Sequence, residues 1–278
     1  MEILVGCDPE LFVRKDGALA SAHGLVKGTK YEPFKVDKGA VQVDGMALEF
    51  NVDPAASADD LVVNIHAVMA QLKEMVPGYE FDISPVAEFG KEMIDNQPEE
   101  AKILGCEPDF NCYSGAENPA PDVDAPFRTA SGHVHIGWTA GVDPRDPEHF
   151  EACRMLTREL DFTLGMVSHL FDGDSRRREL YGQAGSFRPK PYGMEYRVLS
   201  NFWIKNEDFI RWVFNTVRSS FQNLVQGTGA SQEYARYRPD LEFGGPPTKM
   251  VALLRDLQLM RPEVIALWGS YGLELHPP

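Results

Sequence analysis

Four short segments of the sequence each set two chemically capable side chains two residues apart. They are Asp8 and Glu10 in CDPEL, Glu49 and Asn51 in ALEFN, His133 and His135 in GHVHIG, and Glu195 and Arg197 in MEYRV. In an extended chain the spacing i, i+2 sends both members of a pair to one face and the residue between them to the other. Taken singly, each pair has a plain structural explanation: a turn made by Pro9, a solvent-facing strand, two histidines hydrogen-bonded to each other, or a surface ion pair that contributes little. Four such pairs on four strand-like segments are what a polar cavity over one sheet face requires. Carboxylates and imidazoles without thiolates suit a hard divalent ion such as Mg²⁺ or Mn²⁺. Asp8, Glu10, Glu49 and Glu195 could hold two or three such ions, with His133 as a nitrogen ligand. Left without metal, that many acids would repel one another and their pKa values would rise.

A second cluster lies in DSRRRELYGQAGSFRPKPYG, where Arg176, Arg177, Arg178, Arg188 and Lys190 share one loop-rich stretch of an otherwise acidic chain. A guanidinium is always charged and its fork matches two phosphate oxygens. Arg176, Arg178, Arg188 and Lys190 are therefore candidate nucleotide-binding residues. Arg188, between the loop glycines Gly185 and Gly193, is the strongest of them, and a solvated basic patch is the plain alternative for 176–178.

These groups must be held by regular elements. ILVGCDPELFVRKDG reads as an apolar run interrupted at Asp8-Pro9-Glu10 and turning at Asp16-Gly17. VQVDGMALEFNVDP carries Asp44-Gly45 between alternating segments, a hairpin signal. Its register puts Gln42, Glu49 and Asn51 on one face and Val41, Val43, Leu48 and Phe50 in the core. A helix follows, capped by Ser57 and apolar through Leu61, Ile65, Val68, Leu72 and Met75; His66 lies beside that stripe as a structural residue. Residues 84–127, rich in Pro, Gly and acids, read as one long loop suited to substrate selection. A long helix is expected over about 146–171, a loop over ELYGQAGSFRPKPYG, a strand at MEYRVLSNFW, and a helix capped by Asn206 and stopped before Gly227. Two more helices are expected near 247–259 and 262–270. Strands with tight turns, long helices and no regular strand–helix alternation indicate an α+β fold with a largely antiparallel sheet, in one domain spanning 1–278.

The chain has 278 residues, is 43% hydrophobic and 25% charged, and carries 27 basic against 42 acidic groups for a formal charge of −15. That balance excludes a nucleic-acid partner and an anionic membrane surface, both of which need a basic face. No apolar run approaches the ~20 residues of a transmembrane helix. The start, MEILVGCDPE, has neither the basic region nor the cleavage site of a secretory signal. Cys7, Cys106, Cys112 and Cys153 form no CxxC pair, so free thiols in a reducing cytoplasm are expected.

GCDPELFV, VQVDGMALEFN, SGHVHIG and YGQAGSFRPKPYGMEYRVLSN together resemble, in order, motifs of the glutamine synthetase and glutamate–cysteine ligase superfamily. More specifically, the chain is similar to the phage-type amidoligases called carboxylate–amine ligase type 2. The resemblance spans residues 6–201. It implies an antiparallel sheet shaped as a funnel, with ATP entering from one side and the substrates from the other. ATP phosphorylates a carboxylate, and an amine attacks the acyl phosphate. By motif, Asp8, Glu10, Glu49, His133 and Glu195 would be metal ligands for Mg²⁺ (or Mn²⁺). His135 would contact phosphate, Arg188 would stabilise the transferring phosphoryl group, and Arg197 would hold phosphate or the substrate carboxylate. The implied partners are a small-molecule carboxylate and amine, or a peptide or protein acceptor, in the cytoplasm (of the host, if phage-encoded). The chain departs from glutamine synthetases in having Asp8 where they have Glu, and in lacking a second carboxylate soon after Glu49. Two other enzyme readings remain: a phosphotransferase of the same fold, and a hydrolase in which His133 and His135 bind zinc. A fourth reading, of a different class, is a binding or structural module that keeps the fold without turnover; the intact Glu10, Glu49, Glu195 and Arg188 argue against it.

Overall fold

The computed structural model describes residues 2–102, 108–120, 125–229, 231 and 247–272. Its centre is β1 (Leu4–Lys15), a continuous strand where the sequence shows an interruption. Pro9 is tolerated because it is the last residue of β1 on one ladder, opposite Gly132, where the missing donor costs little. Beyond it the Glu10 N–H donates to the Ser131 carbonyl. Asp16 and Gly17, at φ of 51° and 81°, turn the chain into β2 (Ala18–Ala20), as expected of an Asp-Gly pair.

β3 (Phe34–Val36), β4 (Gly39–Asp44) and β5 (Ala47–Val52) follow as antiparallel neighbours. The β4–β5 turn is one residue later than Asp44-Gly45: Asp44 pairs with Ala47, and Gly45 takes the left-handed position at φ 57°. Helix α1 (Ala58–Met75) starts at Ser57, whose hydroxyl accepts from the Asp60 N–H. Leu61, Ile65, Val68 and Leu72 are buried, and His66 stays on the surface near Glu207.

The stretch expected to be one long loop holds short elements instead: β6 (Glu80–Asp82) ahead of it, then β7 (Val86–Ala87), α2 (Lys91–Asp95), α3 (Glu99–Lys102) and β8 (Phe110–Asn111). Ala87, Phe89, Ile94 and Ala101 form a small second core with Phe12 and Met46. Four scattered apolar residues carry no period, so the sequence hid a core that Phe12, Met46, Ala47 and Ala130, from other segments, complete. Residues 103–107, with Cys106, and 121–124 lie outside the described residues.

β9 (Arg128–Thr129) pairs with β7, and β10 (Gly132–Gly137) carries the two histidines. The long helix is α4 (Pro147–Leu160), capped by Asp146, continuing through a π-helical turn at Asp161–Gly165 into α5 (Met166–Ser168). Two segments expected as loop are regular: α6 (Ser175–Leu180) and β11 (Ser186–Lys190). β11 contains Pro189 and is followed by Pro191, yet it pairs with β12 (Gly193–Tyr196). α7 (Glu207–Val225) has its Asn206 cap and Gly227 beyond its end, and helices Pro247–Asp256 and Pro262–Leu267, the latter running into a π-helical turn at Trp268–Gly272, close the described chain. Among the described residues no helix is long and apolar enough to cross a membrane. Cys7, Cys112 and Cys153 are free and buried.

The large sheet runs β3-β4-β5-β1-β10-β12-β11-β8, with every pairing antiparallel. One face buries Val5, Cys7, Leu11, Val41, Leu48, Phe50, Val134, Ile136, Phe187, Met194 and Tyr196 with residues of α1, α4 and α7. Period-2 alternation therefore delivers Asp8, Glu10, Gln42, Glu49, His133, His135, Arg188 and Glu195 to the other face.

One glycine holds the site's register. Gly193 opens β12 at φ 150°, and a Cβ there would stand 2.0 Å from the Ile136 carbonyl oxygen of β10. Gly193→Ala is expected to lower the urea midpoint by an amount worth about 3 kcal/mol, since backbone must move against backbone. An unchanged midpoint would show that the two strands can separate at no cost.

Candidate active site

Cross-strand register turns the separate pairs into one polar surface. Asp8 lies opposite His133, Glu10 opposite Glu49, and Glu49 opposite Gln42. Farther along, His135 lies opposite Glu195, which lies opposite Arg188.

Asp8 stands between the two imidazoles, its Oδ1 3.2 Å from His133 Nδ1 and its Oδ2 3.1 Å from His135 Nε2. Burial pushes its carboxyl upward, but the charges of His135 and His133 outweigh that and hold it well below the usual range. The imidazoles split. Burial and the neighbouring Arg197 pull His133 down to about 4. His135 is depressed by burial too, yet Asp8 and Glu195 bring it above its ordinary value. Among the described residues the Nε2 of His133 has no hydrogen-bond partner, and Tyr192 Oη sits 2.5 Å from His135 Nδ1.

Glu195 is 2% exposed and ringed by cations: Arg188 Nη1 at 3.0 Å, Lys190 Nζ at 2.7 Å and Arg197 Nη1 at 2.7 Å. Arg197 is also buried, donates to Asp109 at 3.1 Å and lies over the Tyr181 ring. On the opposite side the acids are crowded. Burial, then Asp44 and Asp8, push Glu10 up to about 8, against the Ser131 N–H that it accepts at 2.7 Å. Burial and the charges of Asp8, Asp44 and Glu10 likewise raise Glu49 well above its ordinary value, although Gln42 donates to it.

Oxygen and nitrogen atoms of Asp8, His135 and Glu195 lie within 4.8 Å of one another, close enough to share one metal ion. This cluster contains His135, where the resemblance implied His133. The reason is register: His135 is the direct partner of Glu195, whereas His133 Nδ1 faces Arg197 Nη1 at 3.4 Å. The donor set fits a hard divalent cation, and so does the crowding of Glu10 and Glu49, acids that a cation would hold ionised.

Two cavities open on this surface and share Asp8, Glu49, Arg188 and Lys30 as a common wall. The smaller holds about 110 Å³ and takes in Glu10, Asp44, His133, Arg128, Arg197 and Tyr181. The larger holds about 840 Å³ and takes in His135, Glu195, Lys190 and Tyr192, with Tyr31, Pro33, Val52, Pro54 and Trp138 as an apolar, aromatic flank. The two histidines thus serve different cavities.

Arg176 and Arg178, expected at a nucleotide, line neither cavity. Arg176 is taken up by Asp174 and Glu88, and Arg178 is buried against Ser168 and Asp172. Both sit on α6, whose geometry turns them away from the sheet face. Asp44, Lys30, Asp109, Tyr181 and Arg128 belong to the surroundings of the site and were not legible in the motifs. Asp44 carried a usable signal, because it follows Gln42 by two residues on one strand. It was hidden by being read as a turn residue. Asp44, on the strand paired with that of Glu49, adds a carboxylate to the smaller cavity.

Residues 125–226 match the sequence model of a family described as Phage phiEco32-like COOH.NH2 ligase-type 2. The matched stretch includes the His133–His135 strand and the Glu195–Arg197 strand. No curated protein matches the chain in sequence. Among solved structures it is similar to a bifunctional glutathione synthetase from Pasteurella multocida, at 9% identity and a TM-score of 0.43, with 99% of this chain and 48% of that one covered. The chain therefore spans about half the length of that enzyme.

Proposed function

We propose that the chain is an ATP- and Mg²⁺-dependent carboxylate–amine ligase working through an acyl phosphate. The observation that carries the reading is the common wall: a cavity of nucleotide size and a smaller polar one meet at Asp8, Glu49 and Arg188, beside a cluster able to hold a metal. ATP occupies the larger cavity, its base against Tyr31 and Trp138 and its phosphates toward Arg188, Lys190 and His135. The carboxylate substrate occupies the smaller cavity. Asp8, His135 and Glu195 would hold one divalent ion, and Glu10 and Glu49 are placed for a second, with His133 beside Asp8. Bound there, such ions would supply positive charge against the triphosphate and against the charge that develops on the transferring group.

The substrate oxygen attacks the γ-phosphorus, the bond to the β-phosphate oxygen breaks and ADP leaves. Arg188, on the wall between the cavities, lies where the phosphoryl group crosses, and Arg197 holds the carboxylate side. The amine nitrogen then bonds to the acyl carbon, releasing phosphate and a proton. Little of this asks for covalent help from the protein; positioning and charge neutralisation do most of it. The match over 125–226 supports a ligase, and the funnel that the resemblance over residues 6–201 implies is part of this proposal.

The test is ADP release from Mg-ATP with pooled carboxylates and amines, followed by mass spectrometry. Amine-dependent release with a product formed by loss of one water is the expected result. A phosphorylated acceptor with no amide would replace the ligase by a phosphotransferase. A hydrolysed product without nucleotide turnover would replace it by a metal-dependent hydrolase.

A further inference from the structure

Tyr192 stands in the short connection between β11 and β12, and its ring lies back against the sheet face that carries the site. The backbone there is fixed. The Tyr192 carbonyl accepts from the Trp138 and Thr139 N–H groups at 2.9 and 3.1 Å, and the Pro191 carbonyl accepts from that of Val142 at 3.1 Å. The ring stacks on the His135 imidazole, with centroids 6.0 Å apart and planes 23° from parallel. Its hydroxyl oxygen reaches His135 Nδ1 at 2.5 Å.

The other nitrogen of that imidazole behaves differently. Nε2 of His135 is buried and makes no hydrogen bond among the described residues, although Asp8 Oδ2 lies 3.1 Å away. A neutral imidazole, the form that binds a metal, carries one proton on one of its two nitrogens. On Nε2 that proton would be a buried donor with no acceptor in line, which is costly. On Nδ1 it donates to Tyr192 Oη, and Nε2 keeps its lone pair beside Asp8. His149 shows the structural alternative. Its Nε2 meets the carbonyls of Lys190 and Gly193 and ties α4 to the sheet.

We infer that Tyr192 is a positioning residue of the metal centre: it accepts the Nδ1–H of His135 and so holds Nε2 open for a divalent ion shared with Asp8 and Glu195. A ligating imidazole takes its tautomer and its ring orientation from the group its second nitrogen donates to, and losing such a group weakens metal binding about tenfold to a hundredfold. The stacked ring and the anchored turn fix the hydroxyl on the imidazole from a segment that supplies no ligand itself. This inference rests on His135 being a ligand in the cluster with Asp8 and Glu195.

The experiment is calorimetric titration of the full chain, of Tyr192→Phe and of His135→Gln with Mn²⁺ alone, together with ¹⁵N NMR of the imidazoles in the Mg²⁺-loaded native chain. Tyr192→Phe keeps the stacked ring and loses the hydroxyl, and is expected to bind Mn²⁺ about tenfold or more weakly than the native chain. The NMR spectrum is expected to show His135 protonated at Nδ1, a signature that a purely structural tyrosine would not set. A loss of less than tenfold in Tyr192→Phe overturns the inference. So does a native His135 protonated at Nε2, a readout that needs no variant. If only His135→Gln loses the ion, the metal reading stands and Tyr192 is not its positioning residue. If His135→Gln binds Mn²⁺ as the native chain does, or the native chain binds none, the metal reading of His135 fails and the inference with it.

Discussion

Glu195→Gln is expected to lower turnover at least a thousandfold and to destabilise the metal-free chain by about 3 kcal/mol. The change is one atom in size, so packing is nearly constant and the effect is one of charge. Glu195 is 3.0 Å from Arg188, 2.7 Å from Lys190 and 2.7 Å from Arg197. Neutralising it leaves three cations around a buried amide, with Asp109 still answering Arg197. Breaking one side of a buried ion network costs more than the network contributes, because the remaining charges keep their desolvation penalty. The same oxygens belong to the cluster with Asp8 and His135, so divalent-ion affinity should fall in parallel. Turnover, urea midpoint and Mg²⁺ affinity measured on one preparation check this together. If Glu195→Gln keeps Mg²⁺ affinity and activity within tenfold of native, Glu195 is a structural anchor for the three cations and not part of the site.

The metal-free chain is expected to lose stability from pH 6.5 to 8, at about 1 kcal/mol per pH unit, and Mg²⁺ to remove most of that slope. Glu10 titrates near 8 in the fold and near its ordinary value, about 4.5, when unfolded. Between those values the folded state holds a proton that the unfolded state has released, so stability is full below the lower value and falls as pH rises through the upper. Glu49, also raised, acts in the same direction, as does His135, whose raised pKa is lost on unfolding. His133 opposes them, since its folded value near 4 favours folding as pH rises, but that contribution is complete by about 6.5. The depressed Asp8 acts only at acid pH. Above 6.5 the raised groups therefore dominate. A divalent ion between the carboxylates favours their ionised forms and stabilises the fold more at pH 8 than at pH 6.5. Urea unfolding at three pH values, in chelator and in Mg²⁺, gives both slopes. Equal slopes would place Mg²⁺ away from Glu10 and Glu49.

The sequence by itself determined which face each residue takes. Spacing of two in a strand is enough to turn Asp8 with Glu10, His133 with His135, and Glu49 with Asn51, because alternation is local and needs no partner. The same local rules placed Ser57 and Asn206 as caps and set the antiparallel class. What the tertiary structure decided was which of these groups meet. Register between strands far apart in the chain made His135, not His133, the neighbour of Glu195, and a turn displaced by one residue brought Asp44 to the site. Arg176 and Arg178 were attractive by charge, yet a short helix directs them to Asp174, Glu88, Asp172 and Ser168. Arg128 showed no pattern at all, since only the pairing of β9 with β7 brings it beside residues of β1, β4, β5, β10 and β11 at the smaller cavity. Alternation is written in neighbouring residues; register, burial and an unmet hydrogen bond depend on contacts between residues that the chain order keeps apart.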